Sequence, residues 1–239
     1  MAHVDDGFGA GRSGAVAVAA GRAPAGGHGG GHARLLDVGP LDVGPLDEPE
    51  RDAAVQLLAR AFRDNPLNTA VVGGRARRRL RANRAGTRAA LESARGLALV
   101  LGARRAGALV GVLVAQPPGV HPLPLPGVAT QLRVLAAQGL RTARRWARVH
   151  FELERAHPRE PHWYLDMVGV EPDAQRRGVG RALLDAFLAR VDADGAPSYL
   201  ETDRRENLAL YARAAYRVVG EERVLGVPVF RLWRRPGGA

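Results

Sequence analysis

Between Val168 and Leu184 the chain reads Val-Gly-Val-Glu-Pro-Asp-Ala-Gln-Arg-Arg-Gly-Val-Gly-Arg-Ala-Leu-Leu. An apolar run stops at Val170, a short polar loop follows, and Gly178 and Gly180 lead into an apolar pattern of helical period. The first turn of a helix carries N–H groups without partners and a partial positive charge, so it holds an anion such as a pyrophosphate. Glycines let the anion's oxygens approach the backbone, and Arg176, Arg177 and Arg181 add cations nearby. Two familiar phosphate loops are excluded. A P-loop needs a Lys after its second Gly and the chain has none, and a dinucleotide fingerprint needs a third Gly where Leu183 stands. On spacing alone a second reading stays open: a strand–turn–helix whose glycines serve only tight packing.

The chain that must position this turn has 239 residues, enough for one domain with a real core. It has no Cys, which excludes a disulfide framework, a thiol nucleophile and Cys-ligated metal. No apolar run approaches the roughly 18 residues of a membrane helix. The apolar run Ala15 to Ala20 is not preceded by a basic region, which argues against a secretory leader and makes a cytoplasmic location the expectation. The net charge of +11 invites a nucleic-acid reading. The cations are all Arg, and neither Lys nor Ile occurs, a bias that fits a GC-rich coding sequence. The basic stretch Arg75 to Arg84 lacks interleaved aromatics to stack on bases and reads as a solvated helix face.

Residues 1–33 are dominated by Gly and Ala, cannot bury enough apolar surface to order themselves, and are expected to be a disordered tail; His28 and His32 within it could touch a metal. A five-residue duplication follows, Leu36 to Pro40 and Leu41 to Pro45, which the reading divides between the exit of a first strand and a spacer. Helical spacing then predicts a helix over 50–63, ended by Asn65-Pro66, and an Arg-studded helix over 75–95. Residues 97–101 and 108–114 read as a β-hairpin. The five prolines of 117–127 mark a loop, and apolar positions Leu132, Leu135, Leu140, Ala143, Trp146 and Phe151 predict one long amphipathic helix over 129–154. Trp163 to Val170 is apolar on both faces and reads as a central strand. A helix over 178–191, a strand over 199–202, a short helix over 206–215 and strands over 216–224 and 227–233 complete an α/β or α+β domain, residues 34–239, on one mixed, mostly antiparallel sheet flanked by helices.

Gln175-x-x-Gly178-x-Gly180 resembles motif A, (Arg/Gln)-x-x-Gly-x-(Gly/Ala), of the GNAT superfamily of N-acetyltransferases. Its flanks are similar too. Val168-Gly169-Val170 resembles that family's fourth strand, and Leu200-Glu-Thr202, Asn207, Leu210-Tyr211 and Tyr216 to Gly220 resemble its fifth strand, fourth helix and sixth strand. Residues 161–236 are most similar to puromycin N-acetyltransferase-like enzymes, with a looser likeness back to residue 46 that includes Ala61-Phe62-x-Asp64-x-Pro66. The family usually has Gly-Phe after the Tyr helix; this chain has Ala215-Tyr216, which takes the best left-handed residue from a helix end and puts the geometry of Tyr211 in question.

The resemblance implies a GNAT-like acyl-CoA N-acyltransferase fold, a splay between the family's fourth and fifth strands, and transfer of an acetyl group from acetyl-CoA to a primary amine, with no metal. It implies that the pantetheine arm pairs with the backbone of Val168, Gly169 and Val170, and that Gln175, Arg176, Arg177, Gly178, Val179, Gly180 and Arg181 cradle the diphosphate. Asn207 either hydrogen-bonds the pantetheine or caps its helix. Tyr211 would be the general acid at the sulfur, and Glu201, or Asp166 on the neighbouring strand, the base, since a carboxylate in a desolvated cleft has a raised pKa; Glu201 could equally hold a substrate's ammonium or pair with an Arg. The Pro-rich loop and the long helix after it would wall the acceptor site, where Glu152 and Glu154 face solvent or a cationic acceptor. The expected partner is a small-molecule amine acceptor, with the protein a monomer or homodimer, no membrane involved and nucleic acid not expected. Two rivals stand beside this reading: an acyl-CoA-binding regulator without turnover, and a nucleic-acid-binding protein using the Arg-rich helices.

Overall fold

A computed structural model describes residues 18–19 and 39–238. Of the expected tail only Val18–Ala19 is described, and it is strand β1; the rest of 1–33, with His28 and His32, lies outside the described residues. Of the two copies of the duplication the second belongs to a strand, the edge strand β2 (Leu41–Pro45). Then come α1 (Arg51–Ala61), α2 (Pro66–Val72), α3 (Ala76–Ser93), the hairpin β3 (Leu99–Arg105) and β4 (Ala108–Gln116), α4 (Val128–Gln138) and α5 (Leu140–Ala156). The C-terminal half is β5 (Trp163–Val170), α6 (Val179–Asp194), β6 (Ser198–Thr202), α7 (Leu208–Ala212), β7 (Arg217–Val224) and β8 (Val227–Arg234).

The sheet runs β2-β3-β4-β5-β6-β8-β7, with β1 attached to β5 off this path. Every neighbouring pair on the path is antiparallel except β5–β6. That parallel pair holds register only at Trp163↔Ser198 and Tyr164↔Tyr199. The remaining six residues of β5 have left β6, and β1 runs parallel to them through Val18↔Val168 and Ala19↔Gly169. The divergence begins beside a bulge: Val114 pairs with Met167 and Ala115 with Leu165, so Asp166 is the extra residue of β5. Such an insertion bends a strand and re-aims its side chains.

Helices cover both faces. On one, Ala54, Leu57, Leu58, Ala61 and Phe62 of the α1 segment pack with Leu91, Val112, Val114 and Met167. Gly169 permits this approach, because a Cβ there would stand 2.6 Å from Leu58 Cδ2. On the other face Val179, Leu183, Leu184, Phe187, Leu188 and Val191 of α6 meet Leu113, Leu165, Val168 and Val170. Burying side chains of this size contributes about 1.5–3 kcal/mol each, which is why the apolar runs of β5 and α6 read so plainly in the sequence.

One expectation is extended and another corrected. Asn65-Pro66 ends α1, but Pro66 also opens α2, since a first helical position needs no N–H donor. The helix over 129–154 is two helices, broken at Gly139, whose φ of +80° and ψ of 158° no helix interior accepts. Its apolar period holds while its direction does not: Leu132, Leu140 and Phe151 are 61, 64 and 63% exposed, and Thr142, Val149 and Leu153 are the buried side of α5. The Arg-rich face of α3 is solvated as expected, with Arg75, Arg77, Arg81 and Arg84 exposed. Among the described residues no helix is long and apolar enough to cross a membrane.

Candidate active site

The anion turn is open. Ala174 and Val179 anchor it in the core, while Arg176, Arg177, Gly178 and Arg181 lie exposed above. Gly178 precedes α6 with φ +83°, a left-handed value that favours glycine. The first ladder bond runs from the Ala182 N–H to the Gly178 carbonyl, 2.9 Å, so the amides of Val179, Gly180 and Arg181 precede the ladder. The frame is fixed from several sides. Gln175 Nε2 donates to the Val170 carbonyl at 3.1 Å, so this side chain braces the strand exit and does not point at the cradle. Arg60, at the end of α1, grips Glu171 with bonds of 2.8 and 2.7 Å. The Arg105 guanidinium donates to the Arg177 carbonyl at 3.4 Å. Arg181 is engaged bidentately by Asp185, at 2.7 and 2.8 Å.

Along β5 the backbone of Val168 and Gly169, assigned by resemblance to a pantetheine, is paired with β1. Asn207 is buried at the start of α7 with helical backbone, and its side chain makes no cap bond. Its Nδ2 donates instead to Thr202 Oγ1 at 3.2 Å, tying α7 to the end of β6, which corrects the capping alternative.

Tyr211 is fully buried on α7, edge-on to Tyr216 at 5.7 Å, and its hydroxyl has no hydrogen-bond partner. A buried polar group left unmade costs free energy, so such an orphan points to an absent partner. Burial, with Tyr216 beside it, pushes this phenol well above its ordinary pKa, so it remains a proton donor across the working range. The short helix predicted over 206–215 is shorter still, 208–212, and ends in a Schellman motif. The Tyr216 N–H reaches the Tyr211 carbonyl at 3.0 Å and the Ala215 N–H the Ala212 carbonyl at 3.1 Å. Ala215 occupies the left-handed position with φ +62°.

Glu201, the fourth of the five β6 residues, is 3% exposed and accepts the Tyr164 hydroxyl at 2.7 Å. Burial pushes its carboxyl up to about 7 even though the Tyr164 bond pulls the other way. Asp166, at the bulge, is buried and accepts Gln116 Nε2 at 3.1 Å. Around them stand side chains that sequence reasoning did not single out. His157, just after α5, places Nδ1 3.9 Å from Glu201 Oε1 and stacks on His121 of the Pro-rich loop, with ring centroids 3.9 Å apart. Tyr164 and Tyr199 meet His157 edge-on, each at 5.0 Å, and His162 lies 5.0 Å from it. Burial first, and the two neighbouring imidazoles next, push His157 down to about 3, so its ring is neutral. The Pro-rich loop and the end of α5 thus do converge on the carboxylates. The available signal was the run His157-Pro-Arg-Glu-Pro-His162-Trp-Tyr164, three titratable rings leading straight into a buried strand.

From β6 the chain continues to Asp203, whose carboxylate accepts the Leu67 N–H at 2.8 Å and so closes the N-terminus of α2. A recess of about 620 Å³ lies elsewhere, between α1, α3 and α4; no candidate site residue lines it, and its Arg51, Arg88 and Arg95 pair with Glu48 and Asp52. Among the described residues no group of three or more His, Asp or Glu side chains is arranged for a metal ion.

The chain is similar to the crystal structure of "histone acetyltransferase HPA2 and related acetyltransferase" from Corynebacterium glutamicum: TM-score 0.62, 25% identity, covering 82% of this chain and 97% of that one. The polyamine N-acetyltransferase of Drosophila melanogaster shares the fold at TM-score 0.54 and 15% identity, over 82% and 100% of the two chains. So does the N-acetyltransferase PaiA of Thermoplasma acidophilum, solved in complex with coenzyme A, at TM-score 0.51 and 10% identity, over 82% and 99%. A mycothiol acetyltransferase of Clavibacter sepedonicus is 46% identical over 54 residues, a match spanning 21% of this chain and 18% of that relative. The sequence pattern of the family described as "Acetyltransferase (GNAT) family" matches residues 76–220. With the splayed parallel pair, the open turn and this match over more than half its length, the chain belongs to the GNAT family of acetyltransferases.

Proposed function

We propose that the protein is an acetyl-CoA-dependent N-acetyltransferase acting on a primary amine of a small molecule. The observation that carries this reading is the buried, unpartnered hydroxyl of Tyr211, a proton donor with nothing yet to donate to. The open turn at Gly178 fits a diphosphate, and the strand edge at Val168 and Gly169 fits a pantetheine amide. Bound acetyl-CoA would supply an activated thioester, whose C–S bond breaks as the C–N bond to the amine forms. Glu201 takes the proton that the ammonium must lose, for which a carboxyl near pH 7 is well matched. Tyr211 gives a proton to the departing sulfur, and the second proton that the nitrogen sheds as the amide forms replaces it by way of solvent. The cluster of a carboxylate and aromatic rings at Glu201, Tyr164, His157 and Tyr199 suits a cationic amine more than an anionic acceptor. Agmatine and polyamine N-acetyltransferases are among the proteins that share the fold.

The test is a thermal melt with acetyl-CoA followed by an amine panel read by free thiol release. Ligand at a hundred times its Kd stabilises by about 2.7 kcal/mol, which raises the melting temperature by roughly 5–10 °C in a chain of this size. No shift and no thiol would overturn the proposal. A shift without thiol on any amine would favour the rival reading of a CoA-binding regulator, for which the left-handed Ala215 beside the Tyr211 helix is the supporting feature.

A further inference from the structure

Gln116 donates from Nε2 to Asp166 Oδ2, and this bond fixes the orientation of its amide. Its Oε1 is then an acceptor, and it lies 3.1 Å from His121 Nδ1. On the opposite side of the same ring, Nε2 stands 3.2 Å from Glu154 Oε2. Both nitrogens of His121 therefore face acceptors, and an imidazole satisfies two acceptors by carrying a proton on each nitrogen. The ring lies nearly parallel to His157, at 16°, and the Nδ1 of His157 faces Glu201. The groups facing Glu201 are Tyr164 and Asp166 from β5, Tyr199 from its own strand, His157 after α5 and Glu222 from β7. None of these is a cation. The nearest arginine from β8, Arg231, is directed at Glu222, 3.8 Å away. Arg231, opposite Glu201 in the sheet, is thus a cation already committed to Glu222, and His121 is the group on the loop side of this shell with a geometric reason to carry positive charge.

We propose that His121 is a positioning residue for the base: an imidazolium clamped between Glu154 and Gln116, which orients Asp166 through the Gln116 amide and holds positive charge next to Glu201 across the face of His157. The inference rests on the reading of Glu201 as the base. A cation near a carboxylate favours its ionised form, so His121 offsets part of the burial that raises Glu201. Glu154, half of whose side chain is exposed, makes the arrangement responsive to solvent.

The test is the pH dependence of kcat/KM in thiol release. His121→Gln, which keeps hydrogen bonding and loses charge, moves the acid limb upward by about half a unit to one unit, a threefold to tenfold loss below the limb with little loss above it. Glu154→Gln, at an exposed site where folding is not at stake, moves it the same way by less, and His121→Lys holds it near the wild-type position. Nitrogen-15 NMR of histidine-labelled protein finds both nitrogens of His121 protonated at pH 7. A limb that stays in place or moves down in His121→Gln overturns the proposal, as does a neutral His121 at pH 7. Failure of the underlying reading looks different: wild type that releases no thiol, or Glu201→Gln that turns over normally. The NMR measurement decides the charge of His121 in either event.

Discussion

Tyr164, the last residue of β5 still in register with β6, donates its hydroxyl to Glu201 over 2.7 Å. The bond anchors a carboxyl that burial has raised from 4.5 to about 7. A carboxyl raised on folding binds a proton in the native state that the unfolded chain has already lost. Stability therefore falls as pH climbs from about 4.5 to about 7 and is level beyond, a loss on the order of 3 kcal/mol. Glu201→Gln keeps an acceptor for Tyr164 and removes the ionisation. It lowers kcat by about a hundredfold or more while raising the melting temperature at pH 8, and the difference from wild type closes at pH 4. Parallel melting curves across that range would show that Glu201 is not held at a raised pKa.

Tyr211→Phe removes a buried hydroxyl that bonds to nothing. The expected result is a protein at least as stable as wild type, by up to about 1–3 kcal/mol, that binds acetyl-CoA as before and turns over about a hundredfold more slowly. Calorimetry and single-turnover kinetics measure the two halves separately. Undiminished kcat would remove Tyr211 from the reaction.

Ala215 holds a left-handed backbone at φ +62°, which costs a residue with a Cβ about 1–2 kcal/mol. Ala215→Gly relieves that strain and gives back part of it as unfolded-state freedom. The net gain is about 1 kcal/mol in urea denaturation, with an unchanged m-value. A loss of stability would mean that the methyl group packs productively.

Gly178→Ala puts a Cβ into open space, so its penalty is conformational alone, about 1 kcal/mol at φ +83°. Because that residue also shapes the first amides of α6, the melting shift produced by acetyl-CoA shrinks by more than the apo melting temperature falls. A full-size ligand shift in this variant would place the diphosphate elsewhere.

The strands and helices that are apolar throughout or keep one clean period, such as β5, α6 and the β3–β4 hairpin, were legible because burial alone decides them. The break at Gly139 was not, since a single glycine inside a helical period is tolerated in some helices and terminates others. Nor was the outward turn of Leu132, Leu140 and Phe151, because periodicity marks a face without saying what lies opposite it. At the site, the turn from Gln175 to Arg181 was found by spacing, whereas Gln175 turned out to brace the Val170 carbonyl. His121 and His157 escaped notice because their stacking joins a loop and a helix end 36 positions apart (157 − 121), and local pattern carries no trace of that contact.

The short pairing of Val18–Ala19 along Val168–Gly169 has a thermodynamic consequence. Any guest that bonds to the same main-chain edge must first displace the protein's own segment. Its measured dissociation constant is then the intrinsic one divided by the fraction of molecules in which that edge is vacant. Occupancy of the groove is a competition between a tethered competitor, whose concentration never dilutes, and a free one, whose concentration does.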